Sequence, residues 1–368
     1  MKYIMESEAG SKAIINKQLV DYFSGTGYFC FQTHPDVVHA ACEATKRFGI
    51  SSATTAAFYG NNPVLLEVYE KAAQFFETEG ILYYVSGCFG TPILLEGFKE
   101  EYDVIFIDEE SHYSSRVATS LINKPVVIFK HRSPEDLNDK LEEHLQPFQR
   151  PIIVCDGIFP ISGEMSPLPQ YKEILDKYED SIICVDDAHA TGVIGEKGHG
   201  ACEYFGIRKG KLISSGTLSK AMGGHGGIIF GTEELIIQLK RKSTLANACS
   251  SVPIPAAAAN ATALDILHHN PGMRKQLWDN VFYAKNRMRE IGFDVNNTPV
   301  PIICLNMGRG MKAEQLQEYL FTKNIAVTYV PEGAYTSVPK GGAVRISIFS
   351  AHSREQIDHL VDEIKSAV

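Results

Sequence analysis

The sequence contains no apolar run of the ~18 residues that a transmembrane helix needs, so no membrane span is expected. The first residues, MKYIMESEAG, carry acids and no apolar core of a secretory signal. Lys and Arg number 35 against 44 Asp and Glu, a net charge of −9, which argues against a nucleic-acid-binding surface. The eight cysteines form no CxxC pair, and their apolar surroundings favour buried free thiols (Cys155, Cys184, Cys304) over disulfides or a metal site. A cytoplasmic location is therefore expected.

The length of 368 residues, 44% of them apolar, predicts roughly two domains. Short apolar runs alternate with helix-like stretches, a rhythm typical of a mostly parallel sheet covered on both faces. The last run follows its neighbour too closely for a crossover helix, so an antiparallel strand is expected there. The seven runs are Ile81–Val85, Val104–Ile107, Val126–Phe129, Ile152–Cys155, Ile182–Val185, Leu212–Ser215 and Gly227–Phe230.

The pattern changes after about residue 265. We therefore predict an N-terminal segment over 1–45, a large α/β domain over 46–265 and a smaller α+β domain over 266–368. The predicted elements outside the sheet are helices at Pro35–Arg47, Asn62–Thr78, Arg274–Ile291, Ala313–Lys323 and from Arg354, and strands at Val300–Leu305 and Ala343–Ile348.

Two segments carry the clearest chemistry. The predicted strand Ile182–Val185 leads into Asp186, Asp187 and His189, and a later apolar stretch ends in Lys220 before a glycine-rich run. A carboxylate at the carboxyl end of a buried strand needs a cationic partner, and a protonated pyridinium nitrogen is one. A lysine that attacks an aldehyde must be neutral, which burial promotes.

Read singly, each residue has an ordinary alternative: Asp186 could cap a helix or pair with a base, and Lys220 could be an exposed loop lysine. Asp187 points to the opposite face of the strand by alternation, which favours a structural role. Together, Asp186 and Lys220 supply what a pyridoxal phosphate (PLP) enzyme needs, a carboxylate for the ring nitrogen and a lysine for the Schiff base.

A phosphate group needs backbone N–H groups at a helix start and nearby hydroxyls. The turn containing Gly87, Cys88 and Phe89 lies between a predicted strand and a helix-like stretch, although an ordinary strand–helix turn would have the same pattern. Thr217 offers a hydroxyl three residues before the lysine, and Ser251 is a weaker candidate.

Three further side chains are candidates for the ring and the substrate. His189 could turn toward the cofactor's phenolic oxygen, and His112 could stack on the ring, although either could be a surface histidine. Arg345 is a cation in an apolar strand, so it needs an anion. A substrate carboxylate and an internal salt bridge both remain open.

These residues together resemble the α-oxoamine synthases, a branch of the fold-type-I PLP enzymes. The segment Val185–Gly200 resembles the family's VDDAHxTGxxGxxGxG signature over its whole length, and Gly216–Gly224 resembles its lysine segment. Asp156–Phe159, Ser111–His112, and Arg345 with Ser350–His352 follow in matching order and spacing. The resemblance covers roughly residues 20–368.

The resemblance implies a fold-type-I transferase, with a large mostly parallel seven-stranded sheet domain, a smaller C-terminal α+β domain, and a homodimer that shares its active sites. It implies that Lys220 forms the Schiff base and moves protons at the substrate's α-carbon, while Asp186 binds the ring nitrogen. The remaining implied roles are His189 on the phenolic oxygen, His112 stacked on the ring, Thr217 and the Gly87–Phe89 backbone on phosphate, and Arg345 on the amino-acid carboxylate.

The sequence departs from the family pattern in three segments. Pro160–Gly163 replaces Ser-Met-Asp-Gly, Ser24–Phe29 replaces Ser-Asn-Asp-Tyr-Leu-Gly, and Ser51–Ala57 replaces a Gly-Ser-Gly-Gly segment. The cofactor machinery therefore resembles that of the family, whereas the walls around the substrate differ.

We expect PLP-dependent decarboxylative condensation of an amino acid with an acyl thioester such as an acyl-CoA, giving an α-aminoketone. The alternative is an aminotransferase that uses the same lysine and aspartate. A non-catalytic binding protein is the third hypothesis, and the joint presence of Lys220, Asp186 and His189 argues against it.

Overall fold

The computed structural model describes residues 3–207, 212–307, 312–335 and 338–368. The strands in these residues are β1 Lys12–Ile15, β2 Gln18–Tyr22, β3 Gly80–Tyr84, β4 Val104–Asp108, β5 Val126–Phe129, β6 Pro151–Asp156, β7 Ile182–Asp186, β8 Leu212–Thr217, β9 Gly227–Gly231, β10 Ile302–Asn306, β11 Ile325–Ala326, β12 Thr328–Val330 and β13 Ala343–Ser347. The helices are α1 Pro35–Phe48, α2 Pro63–Phe76, α3 Gly90–Gly97, α4 Tyr113–Leu121, α5 Pro134–His144, α6 Leu168–Leu175, α7 Ala201–Tyr204, α8 Glu233–Lys242, α9 Leu245–Ala248, α10 Ile254–His269, α11 Gly272–Glu290, α12 Ala313–Thr322 and α13 Arg354–Ala367.

The central feature is a seven-stranded sheet in the order β3-β9-β8-β7-β6-β4-β5. Strands β8, β7, β6, β4 and β5 run parallel, and β9 is antiparallel to both β8 and β3. The predicted α/β class, the mostly parallel seven-stranded sheet and the antiparallel last strand are confirmed.

Both faces of this sheet are covered, because successive side chains of the central strands enter different hydrophobic clusters. In β6, Ile152 and Val154 join one cluster, and Ile153 and Cys155 join the other. Continuous burial on both faces explains why these strands are short apolar runs without polar alternation.

Helix α2 shows how local chemistry sets the boundaries. Asn62 caps its start by accepting hydrogen bonds from the N–H groups of Val64 and Leu65 at 3.0 and 3.2 Å. The helix ends at Phe76 because Glu77 takes a left-handed conformation with φ 49°, two residues before the predicted end.

Two smaller sheets lie outside the central one. Strands β10, β13 and β12 form an antiparallel sheet, and β1 and β2 join β11 through a parallel β2–β11 pairing. The N-terminal strands therefore pack with the C-terminal part of the chain. The domain boundaries at 45 and 265 stay a prediction.

Among the described residues, no helix combines the length and the apolar character needed to cross a bilayer. All eight cysteines are free thiols. Cys155 and Cys184 are buried as predicted, and Cys304 is half-buried.

Candidate active site

The carboxyl ends of the parallel strands place several polar groups at one edge of the sheet. Asp156 ends β6 and Asp186 ends β7, and the two are direct partners in the strand register. Thr217 ends β8, the next strand along. Ligands of open α/β sheets bind at this edge, so the fold itself brings the candidate carboxylates together.

Lys220 lies on the turn that joins β8 to the antiparallel β9. The turn is closed by a hydrogen bond from the N–H of Leu218 to the carbonyl of Gly226 at 2.9 Å. Burial lowers the pKa of Lys220, although Asp186 and Asp156 act in the opposite direction. The amine is therefore biased toward the neutral, nucleophilic form.

Two of the glycines after the lysine pack closely against other parts of the chain. A Cβ on Gly223, whose φ is +66°, would lie 2.3 Å from the backbone nitrogen of Gln32. A Cβ on Gly224 would lie 1.9 Å from Oδ1 of Asn260. These glycines allow close approach to the protein's own chain, which fixes the turn that carries Lys220.

One cavity of about 230 Å³ collects most of the predicted site. We call it the Lys220 cavity. The predicted residues that line it are Lys220, Asp186, His189, His112, Thr217, Gly87 and Cys88. Asp156, Ser219 and Tyr113 line it as well, and sequence reasoning assigned them no role.

His112 caps helix α4. Its Nδ1 lies 2.6 Å from Oγ of Ser114, and its backbone N–H donates to the carboxylate of Asp156 at 3.1 Å. Burial lowers the pKa of His112, against the effect of Asp186. A neutral, fixed ring results.

Asp156 was noted only as part of the resemblance and received no role, although it follows its predicted strand just as Asp186 follows the next one. Burial raises its pKa well above the usual range, and the negative charge of Asp186 adds to the effect. The protonated form is therefore favoured at Asp156.

The ring of His189 is also held in place by a hydrogen bond to a buried side chain. Its Nδ1 lies 2.8 Å from the hydroxyl of Tyr28, a fully buried side chain 161 positions away in the sequence. Burial lowers the pKa of His189 well below its usual value, and the cations Lys220 and Arg345 lower it further. Asp187 lies outside the cavity, where its carboxylate accepts from the N–H of Ala201 at 3.2 Å.

The predicted phosphate turn is present as a single 3₁₀ turn, Gly87–Phe89, directly before α3. A Cβ on Gly87 would lie 2.8 Å from Oγ1 of Thr217, so only glycine lets the turn approach that hydroxyl. Phe89 does not line the cavity, and its N–H donates to the carbonyl of Ser86 at 3.0 Å, so the expectation that Phe89 holds the phosphate has no support from the geometry. Ser219 brings a second hydroxyl, 2.8 Å from that of Thr217.

Arg345 is buried and is held by neutral oxygens. Its Nε donates to the carbonyl of Pro160 at 2.6 Å, and its Nη1 donates to the hydroxyl of Ser347 at 2.8 Å and to the carbonyl of Gly25 at 3.3 Å. No carboxylate of the described residues forms a salt bridge with it, so an internal salt bridge does not explain its burial.

Ser251 is not brought to the Lys220 cavity. It lines a different cavity, between α2 and β3, and its N–H donates to the carbonyl of Thr54 at 3.1 Å. Within one chain, the expectation that Ser251 binds the cofactor has no support from the geometry.

The loop that supplies the carbonyl of Pro160 is tied to the strand edge by an ionic cluster. His131 lies 2.9 Å from Asp108 and 3.4 Å from Glu164, and Arg132 also pairs with Glu164. The His131 ring packs edge-on against Phe159, with ring centroids 4.3 Å apart.

We expect this cluster to stabilise the fold in a pH-dependent way. Although burial lowers it, the pKa of His131 is raised from 6.5 to about 9 by hydrogen bonds and charges of Asp108 and Glu164. Because the pKa is higher in the folded state than in the unfolded state, protonated His131 stabilises the fold. This stabilisation is complete below about pH 6.5 and is lost as the pH rises through 9. Its contribution to the free energy of unfolding is roughly 3 kcal/mol. Urea unfolding of wild type and His131→Gln at pH 6 and pH 9.5 measures the difference in the free energy of unfolding at each pH. A stability difference that is equal at both pH values would contradict this assignment.

The Lys220 cavity fits PLP on its own geometry. It holds a lysine with a lowered pKa, a buried aspartate at a strand end, and a glycine turn with two hydroxyls at a helix start. Fold and site together define a fold-type-I transferase that uses PLP.

Comparison with known proteins supports this class. Residues 25–364 match the family described as aminotransferase class I and II. The 8-amino-7-oxononanoate synthase of Thermoanaerobacter pseudethanolicus is 32% identical over 96% of this chain and 89% of its own length. Those of Thermosipho melanesiensis and Bacillus subtilis are 31% and 30% identical, each over 98% of this chain and 91% of its own length.

Solved structures show the same fold. A serine palmitoyltransferase from S. paucimobilis superimposes with a TM-score of 0.91 at 22% identity, covering 100% of this chain and 92% of that one. The Sphingomonas wittichii serine palmitoyltransferase gives 0.91 at 24% identity, covering 99% and 91%.

The chain belongs to the aminotransferase class I and II family and, within it, to the α-oxoamine synthases. It is a PLP-dependent enzyme of the acyltransferase type, which condenses an amino acid with an acyl thioester and releases carbon dioxide.

Proposed function

We propose that Lys220 is the residue that binds the cofactor covalently and then exchanges the proton at the α-carbon of the amino acid. The convergence of seven predicted residues on the Lys220 cavity is the observation that carries this assignment. When bound, the cofactor supplies an electron-withdrawing ring that stabilises negative charge at the α-carbon. The lowered pKa of Lys220 suits an amine that must accept a proton there.

Asp186 is proposed to face the ring nitrogen and keep it protonated. Its Oδ1 accepts from the N–H of Ala188 at 3.0 Å, which orients the carboxylate at the strand end. His189 is proposed to donate to the phenolic oxygen, and His112 to stack on the ring. Gly87, Cys88, Thr217 and Ser219 are proposed to hold the phosphate.

Arg345 is proposed to bind the carboxylate of the amino acid. Its guanidinium is buried without an acidic partner among the described residues, and its charge lowers the pKa values of both Lys220 and His189, although Arg345 itself does not line the cavity. A substrate carboxylate would supply the missing anion.

Replacing Arg345 by methionine should raise the KM for the amino acid by roughly 10²-fold, because truncating one partner of a buried charge pair costs about 2–5 kcal/mol. Steady-state kinetics with each substrate varied in turn would show it. The KM for the thioester should stay unchanged. Arg354→Met, on the exposed face of α13, is the matched control. Equal changes in both KM values would contradict the assignment.

The names of the curated relatives suggest the substrate pair. In 8-amino-7-oxononanoate, the carbon that bears the amine also carries a methyl group and adjoins the ketone. Decarboxylative condensation of alanine with a seven-carbon dicarboxylic thioester would give this product, and we propose that pair for this chain.

The test is release of free thiol and carbon dioxide from purified holoenzyme given alanine, glycine or serine with the heptanedioyl thioester or with a thioester of an uncharged acyl chain. Alanine with that thioester should give the highest kcat/KM. Higher turnover with an uncharged acyl chain would overturn the substrate assignment. Keto acid formation without thiol release would favour transamination, an alternative for which the structure offers no specific observation.

We also propose a homodimer in a cytoplasmic, reducing compartment. Large apolar side chains are exposed on α4 and on the segment before α2, namely Tyr113, Val117, Leu121, Phe58 and Tyr59. Ser251 lies in a cavity beside that segment, which suits a role across a subunit boundary. Sedimentation should give twice the 40.7 kDa chain mass. A fully active monomer would contradict the dimer.

A further inference from the structure

The contact between Tyr28 and His189 lies at the wall of the proposed site and is not used by the roles above. Tyr28 has no exposed surface, and its hydroxyl lies 2.8 Å from Nδ1 of His189. Its backbone is also fixed, because its carbonyl accepts from the N–H of Ser350 at 2.8 Å. The hydroxyl is therefore presented to one ring nitrogen of His189 by a rigid loop.

The direction of this hydrogen bond follows from the charges around it. Burial raises the pKa of Tyr28 to about 12, so the phenol keeps its proton. The Arg345 guanidinium lies beside the hydroxyl and opposes that rise. A cation next to the oxygen favours the O–H pointing away from it, toward Nδ1 of His189.

The tautomer of His189 follows in turn. Burial and the cations Lys220 and Arg345 lower its pKa, so the ring is neutral. A neutral imidazole that accepts at Nδ1 must carry its proton at Nε2. Among the described residues, no group is hydrogen-bonded to Nε2 of His189. His189 lines the Lys220 cavity.

We propose that Tyr28 is a positioning residue that holds His189 as the Nε2–H tautomer, with that N–H directed at the phenolic oxygen of the cofactor. The inference rests on the proposed role of His189.

The main test is a pH titration of the visible absorbance of the holoenzyme. An N–H donor withdraws electron density from the phenolic oxygen and so lowers the proton affinity of the lysine-bound cofactor. Losing a hydrogen bond of ordinary net strength should raise the midpoint of the absorbance change by roughly 0.5–1 pH unit in Tyr28→Phe.

Three variants make the result specific. His189→Gln should shift the midpoint at least as far as Tyr28→Phe, and the double variant should shift it no further than His189→Gln alone. Tyr171→Phe is the matched control, because Tyr171 is equally buried and its hydroxyl has no hydrogen-bond partner among the described residues. Its midpoint should stay at the wild-type value.

If the midpoint shifts in His189→Gln but not in Tyr28→Phe, the proposed role of Tyr28 is overturned and the proposed role of His189 is not. No shift in His189→Gln would overturn the proposed role of His189. Should Tyr28→Phe fail to fold, ¹⁵N NMR of histidine-labelled wild type gives the answer directly. Protonation of His189 at Nε2 is expected, and protonation at Nδ1 would overturn the proposal.

Discussion

Lys220→Ala should lose at least about 10⁴-fold in kcat, because one substitution removes both the covalent attachment and the group that moves the α-proton. The lysine also provides the amine whose pKa is lowered by burial in the cavity, and among the residues that the structure describes no other lysine lines that cavity. Reduction of the holoenzyme with borohydride should fix the cofactor on the wild-type peptide that contains residue 220.

Mass spectrometry of the reduced protein measures this attachment. Lys172→Ala is the matched control, since Lys172 is exposed on α6 and pairs with Asp176, 2.6 Å away. The control should keep wild-type turnover, and its peptide with residue 220 should still carry the reduced cofactor. A borohydride-stable adduct on Lys220→Ala, or turnover within tenfold of wild type, would refute the assignment.

Asp186→Asn is expected to reduce kcat/KM by roughly 10²- to 10⁴-fold. Removing one charge of a buried pair costs about 3–5 kcal/mol, and each 1.36 kcal/mol is about tenfold in rate. The amide can still accept from the N–H of Ala188, so the local fold should persist. Kinetics and the absorbance of the bound cofactor, measured on the same preparations, would separate lost catalysis from lost binding.

Asp187→Asn provides the control within the same strand end. Burial raises the pKa of Asp187 to about 8, so an uncharged amide resembles its predominant form at neutral pH. Its carboxylate bonds the N–H of Ala201 outside the cavity, and activity should change less than about tenfold. Equal losses in the two variants would mean that the charge at 186 has no special role.

The sheet was predictable because its strands are buried on both faces and appear as short apolar runs. All seven runs are strands, and the short connection from β8 correctly indicated an antiparallel β9. The predicted end of α2 was two residues late, since the left-handed conformation of Glu77 is set by local geometry rather than by hydrophobic spacing.

The sequence indicated which side chains could meet in one cavity where a motif holds them close together. Asp186 and His189 lie on one strand–turn segment, and Lys220 ends the next. Tyr28 carried no signal, because its contact with His189 forms only when a loop 161 residues away folds against the strand end. The neighbours that require glycine at 223 and 224, Gln32 and Asn260, lie in other segments of the chain and could not be identified from the sequence.

The adjacent carboxylates of Asp156 and Asp186 have a consequence for the life of the protein in a cell. The charge of Asp186 favours a proton on Asp156, its neighbour at the next strand end, and the protonated ring of the vitamin-derived cofactor would give the buried Asp186 carboxylate a cationic partner. A ligand that binds only the native state adds about 2.7 kcal/mol at a hundred times its Kd. Vitamin shortage would therefore lower the abundance of this enzyme through proteolysis as well as its activity.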